Sequence, residues 1–172
     1  MKKGIVLLVC FVGSIKLNAQ IATNTVKLPV TTIASPIVAF RAAATYMAGE
    51  PVANNTEKKV DFTGAYFDES KNFSIVNDEF VAPSDGIYHF DLRVYWTKFT
   101  VQGMVTLLLR TNLYDQIAMT SVQTSSILQN FDSNFGIILK LKTGDKVSVY
   151  LSQNSGVQQK YQQVILSGFK VN

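Results

Sequence analysis

Downstream of about residue 36, apolar and polar side chains alternate with a period of two over most of the chain. The pattern is clearest between Ile87 and Trp96. Tyr88, Phe90, Leu92, Val94 and Trp96 fall on one face of a strand, and Ile87, His89, Asp91, Arg93 and Tyr95 fall on the other. Strict alternation with an aromatic and β-branched apolar face predicts a half-buried strand. Pro83, Ser84, Asp85 and Gly86 precede it as a turn, since each favours turn geometry. The second face is unusual, because a histidine and two opposite charges sit between apolar residues.

The same reading extends along the chain. Ile37–Tyr46 is rich in alanine, but Pro36 and its short length favour a strand over a helix. Residues 49–59 read as a loop. Val60–Asp68 reads as a strand with an irregularity at Gly64, and Phe73–Val81 as a strand bent at Asn77-Asp78. Gly103–Asn112, Gln116–Thr124, Phe135–Leu141 and Val164–Val171 are further strands. Val147, Val149 and Leu151 define another, joined to Leu141 by Thr143-Gly144-Asp145. Its turn chemistry predicts a hairpin. Eight to ten short strands with turn residues between them, and no convincing helix, predict an all-β sandwich or barrel.

Residues 1–19 stand apart. Lys2 and Lys3 open a basic start, Gly4–Ile15 is apolar and uncharged, and Leu17-Asn18-Ala19 precedes a cut at Gln20. This is the layout of a secretory signal peptide, and the apolar run is too short to span a bilayer. Cys10 lies inside that run with Val9 before it, which does not suit a lipoprotein cysteine. Its style looks bacterial. Residues 20–35 read as a polar, extended arm, with neither a collagen repeat nor a heptad.

Cleavage would alter the charge balance. Loss of Lys2, Lys3 and Lys16 leaves thirteen basic against twelve acidic residues, so the high overall pI makes no case for nucleic acid. The only cysteine leaves too, so disulfide and thiol chemistry go with it. No transmembrane segment is expected after signal removal.

Several segments, taken in order, resemble the globular head of the C1q family, within the C1q and tumour necrosis factor superfamily. Val38-Ala39-Phe40-Arg41-Ala42 is similar to its first strand. Phe80, Pro83, Gly86, Tyr88 and Phe90 match its F-x-x-P-x-x-G-x-Y-x-F core, and Leu107, Leu109 and Asn112 its next strand and turn. Leu139, Leu141, Gly144, Asp145 and Val147 match L-x-L-x-x-G-D-x-V, and Ser167-Gly168-Phe169 its closing strand. The resemblance covers residues 36–172. It implies a ten-stranded jelly-roll β-sandwich that assembles as a homotrimer and acts as a non-enzymatic recognition module. With no collagen stalk and a bacterial style of leader, complement function is not carried over.

On that resemblance the Ile87–Trp96 strand lies in the sheet facing the three-fold axis. Tyr88 and Phe90 fill the sandwich, while His89, Asp91 and Arg93 point toward neighbouring subunits. An unpaired buried charge is costly, so Asp91 and Arg93 are expected to pair, within or between chains. Other site chemistries fare worse. His89 with Asp91 lacks a nucleophile turn, so a catalytic triad is not expected. One histidine and no mature cysteine do not supply zinc's usual ligands, and no cofactor is expected. The acidic groups Asp68-Glu69 and Asn77-Asp78-Glu79 could hold calcium, but their spacing matches no calcium loop, and solvated turns are favoured. Tyr66, Phe67, Phe99 and Tyr161 are groove candidates, though core packing is the commoner role.

The expected function is therefore a secreted binding module whose partners are itself, as a homotrimer, and a protein or glycan ligand. Recognition is assigned to loops 49–59, 97–103, 124–134 and 153–163, since loops on a rigid sandwich commonly carry binding. The alternatives are a structural subunit of an extracellular assembly and, behind it, a carbohydrate hydrolase using two carboxylates.

Overall fold

The computed structural model describes residues 37–99, 101–112, 118–124 and 130–171. The expected leader and arm lie outside them, as do parts of the 97–103 and 124–134 loops. Eleven strands occur among the described residues: β1 (Ala39–Val52), β2 (Glu57–Lys59), β3 (Gly64–Asp68), β4 (Phe73–Ser74), β5 (Glu79–Val81), β6 (Gly86–Thr97), β7 (Gly103–Thr111), β8 (Ala118–Thr124), β9 (Asn130–Leu141), β10 (Lys146–Gln153) and β11 (Gln159–Val171). They form two antiparallel sheets. Sheet A runs β3-β1-β11-β6-β9, and sheet B runs β4-β5-β10-β7-β8 with β2 added beside β10. This is the jelly-roll sandwich the sequence pattern and resemblance imply.

β6 is a central strand of sheet A, paired with β11 on one side and β9 on the other. Its aromatic face is buried as the alternation requires: Tyr88, Phe90, Leu92, Val94 and Trp96 all lie in the core. Val105, Leu107 and Leu109 of β7 and Val147, Val149 and Leu151 of β10 meet them from sheet B. Rings fill one end of the sandwich. Phe40 stacks on Phe73 and Phe80, with centroids 5.1 and 4.9 Å apart. At the other end Trp96 lies among Phe99, Phe131 and Tyr161. Two of the four groove candidates, Phe99 and Tyr161, are thus core residues, whereas Tyr66 and Phe67 are exposed.

Three local readings are corrected. Residues 49–59 are not one loop: β1 continues to Val52 past a register shift between Thr45 and Glu50, and β2 begins at Glu57. Likewise β9 begins at Asn130 and β11 at Gln159, ahead of their sequence limits, so parts of the expected recognition loops are strand. Thirdly, β9 and β10 form no hairpin. They lie in different sheets, and the turn between them carries the chain across the sandwich. That turn uses the chemistry the sequence advertises, with Gly144 at φ +87° and Lys142 N–H donating to Asp145 Oδ2 at 2.7 Å. Asp85 then anchors it to the turn before β6, accepting from Thr143 N–H at 2.8 Å and Thr143 Oγ1 at 2.9 Å. These bonds hold the Asp85 carboxyl below the usual range. The pattern of alternating faces identifies strands but cannot say which sheet a partner joins.

A fourth reading changes too: Phe73–Val81 is not one bent strand but β4 and β5, with Asn77-Asp78 in the turn between them, where Asp78 takes φ 51° and accepts from Phe62 N–H at 2.7 Å. Asp68 accepts from Asn72 and Phe73 N–H groups. Both carboxylates are occupied with backbone, as turn residues are.

Candidate functional site

The outward face of sheet A collects the residues singled out on β6. Strand register places Phe169 of β11 and Ile138 of β9 on either side of His89, Ser167 and Gly136 beside Asp91, and Ile165 and Asn134 beside Arg93. The three residues therefore share one face. Two zones divide it. Around His89, four large apolar side chains are open to solvent: Ile138 is 64% exposed, Ile87 47%, Phe169 47% and Val171 41%. Toward Arg93 the face is charged and hollow, with a depression of about 390 Å³ lined by Arg41, Asp91, Arg93, Gly136, Ile165 and Ser167.

Gly136 makes that hollow. A Cβ there would lie 2.8 Å from Asp91 Oδ1 and 3.4 Å from His89 Nε2, so the missing side chain makes room for both. His89 packs against Phe169 with ring centroids 5.1 Å apart. Its Nδ1 is 3.3 Å from Asp91 Oδ2, yet the geometry is not that of a hydrogen bond and the nitrogen is buried without a partner. The contact is ionic only when the ring is protonated.

Arg93 does not pair with Asp91 within the chain. It reaches diagonally to Asp132 on β9 in a bidentate arrangement, Nε and Nη2 donating at 3.0 and 2.9 Å to the two carboxylate oxygens. Those bonds raise the guanidinium's affinity for its proton above the usual value. Of the two pairings expected for Arg93, the one with Asp91 inside the chain is thus replaced by Asp132. Register sets Asp132 diagonally across from Arg93, two residues from its direct neighbour Asn134, within reach of a long side chain. Asp132 escaped the sequence reading because residues 124–134 read as loop.

Among the described residues no three His, Cys, Asp or Glu side chains gather as a metal would require. No helix among them is long and apolar enough to cross a membrane. The face instead offers an apolar patch with an ordered charged border, on a sheet held rigid from behind.

The family model of the C1q domain matches residues 39–171. The chain belongs to the C1q domain family. Solved structures agree with the C1q assignment at the level of fold. The globular domain of zebrafish complement 1qA protein is similar over 78% of this chain and 98% of its own, with 17% identity and a TM-score of 0.55. A tumour necrosis factor, Eiger from S. frugiperda, is similar over 80% of this chain and 94% of its own, with 11% identity and a TM-score of 0.59. No curated protein matches the chain. C1q domains are in general recognition modules, and they typically form trimers. The C1q motif residues of the sequence sit where a scaffold needs them: Phe80, Tyr88 and Phe90 in the core, and Gly168 where β11 passes under the Phe40 and Phe90 rings.

Proposed function

We propose that this protein is an exported, non-enzymatic recognition module that acts as a homotrimer, its subunits meeting across the outward face of sheet A. The observation carrying this is the contiguous exposure of Ile87, Ile138, Phe169 and Val171 around His89. Contiguous exposed apolar patches on soluble proteins mark surfaces that another surface covers. His89, Asp91 and Arg93 lie within the contact. The Arg93–Asp132 pair enters it already satisfied, which lowers the cost of desolvating either charge. Three subunits then present three copies of any ligand site, and repeated sites on a partner convert weak single contacts into avidity. The ligand is a protein or a glycan outside the cell. Sedimentation velocity of the mature chain at micromolar concentration tests the proposal. A trimer is expected, and a wild-type monomer would sink the reading.

A further inference from the structure

The opposite side of the sandwich carries a second surface that the assembly face leaves untouched. On β10, Ser148, Tyr150 and Ser152 point outward from sheet B. Register places Arg110 beside Ser148, Lys59 and Leu108 beside Tyr150, and Glu57 and Thr106 beside Ser152. The short side chains of Ser148 and Ser152 lie on either side of Tyr150 along the middle of this face, and long charged ones rise beside them. Two adjoining hollows result, each of about 260 Å³. The first is lined by residues including Asn55, Glu57, Thr106, Ser152 and Asn154, the second by residues including Lys59, Arg110, Lys146, Ser148 and Tyr150. The Glu57–Arg110 ion pair stands at their junction.

Arg110 is fixed there. Its guanidinium lies 4.4 Å over the Tyr150 ring and bonds Glu57 Oε2, and its Nε is buried without a partner. An arginine on an ordinary solvated strand face would keep that donor in water, because an unmade buried hydrogen bond is costly. Beside it, hydrogen-bonding capacity is open. Among the described residues, Glu57 Oε1, the Asn55 amide and the Ser148 and Ser152 hydroxyls have no protein partner.

We infer that this trough binds an uncharged saccharide chain, laid along β10. The chemistry selects it. Cations Lys59, Arg110 and Lys146 are nearly balanced by Glu57 and Glu79, the latter bonded to Lys146, so neither a polyanion nor a polycation is favoured. Apolar lining is sparse, and the Tyr150 face is already covered by Arg110, so a lipid or aromatic ligand finds little area. What remains is carboxylate and amide acceptors, guanidinium and amide donors, and hydroxyls that do both. Vicinal sugar hydroxyls, each a donor and an acceptor, satisfy such a set. From Ser152 to Ser148 the trough extends about 13 Å at the usual strand rise, suiting an oligosaccharide better than one sugar. The inference supplies the ligand class for the recognition reading, but it does not depend on the trimer.

Affinity electrophoresis of the mature protein tests it, in native gels containing mannan, mixed-linkage β-glucan, galactomannan, xylan or dextran, with polygalacturonate and heparin gels as anionic arms. Retardation in at least one neutral gel is expected. Ser152→Phe, which fills the trough, and Glu57→Gln, which keeps its shape, should each weaken retardation at least tenfold. Ile138→Asp, on the assembly face, should remain retarded by the same polymer even as a monomer, so failure of the trimer and failure of the trough are separable. Three results overturn the inference: no retardation in any neutral gel; retardation unchanged by Glu57→Gln; or retardation confined to the anionic gels and abolished near about 0.5 M salt, which marks screened ionic adsorption.

Discussion

The indole N–H of Trp96 on β6 donates a 2.9 Å hydrogen bond to the hydroxyl of Ser133 on β9, and both residues are buried. It is the polar fastening inside an aromatic corner otherwise made of Phe99, Phe131 and Tyr161. Ser133→Ala leaves the indole donor unmatched in a dry site. Stability is expected to fall by about 1–3 kcal/mol, the cost of an unsatisfied buried group. Denaturant titration with an unchanged slope is the check. A loss below about 0.5 kcal/mol would mean that the indole has found another acceptor.

Gly168 on β11 has no room for a side chain. A Cβ there would lie 2.6 Å from Phe40 Cε1 and 2.9 Å from Phe90 Cδ1. Gly168→Ala is expected to cost about 1–3 kcal/mol through overpacking, since two rigid rings must move. Gly64 has nothing within 4 Å of the same added atom. Gly64→Ala should be neutral or slightly stabilising, which makes the pair an internal control for steric cause.

Asp78 is a carboxyl whose affinity for its proton is raised, chiefly by burial and further by nearby Asp61. The sign follows. Below the unfolded pKa the group is protonated in both states and costs nothing. As pH rises through the folded pKa, ionising it in place costs stability, and the cost persists at neutral pH. Asp78→Asn keeps an oxygen for Phe62 N–H, and asparagine tolerates φ 51°. The variant should melt higher than wild type at pH 7, with the difference shrinking toward pH 3. An unchanged or lower melting temperature at pH 7 would refute this account of Asp78.

The assembly face can be separated from general surface apolarity. Val76, in the β4–β5 turn, is 92% exposed and belongs to no part of that face. Ile138→Asp is expected to weaken self-association at least tenfold and leave the monomer folded. Val76→Asp should change neither. Sedimentation across a concentration series reads both, and equal effects from the two variants would remove the special role of sheet A.

Much of the fold was legible because alternation on β6 and β10 is strict enough to identify the buried side of each strand, whereas β7 is marked as a strand by its unbroken apolar run. The shared outward placement of His89, Asp91 and Arg93 followed from the same rule. What escaped was set by contacts across strands. Arg93's choice of Asp132 depends on the β6–β9 register, which a single strand's pattern does not contain. The β9–β10 turn looked like a hairpin because its residues are those of any tight turn, whichever sheet receives the next strand. Ile138 could be placed outward from its alternation. Its companionship with Phe169 and Ile87 appeared only when β11 and β9 were seen flanking β6.

The position of β11 bears on how the domain comes into being. It lies between β1 and β6, so the first long strand pairs with the last, Ala39 opposite Phe169. Sheet A therefore has no stable centre until almost the entire domain has been made and its two ends have met. Contacts so distant along the chain place folding on the slow side for a domain of this size. In the interval, β1 and β6 present unpaired edges open to the wrong partner. A nascent chain halted before Gln159 would carry most of the core residues and still be unable to close around them.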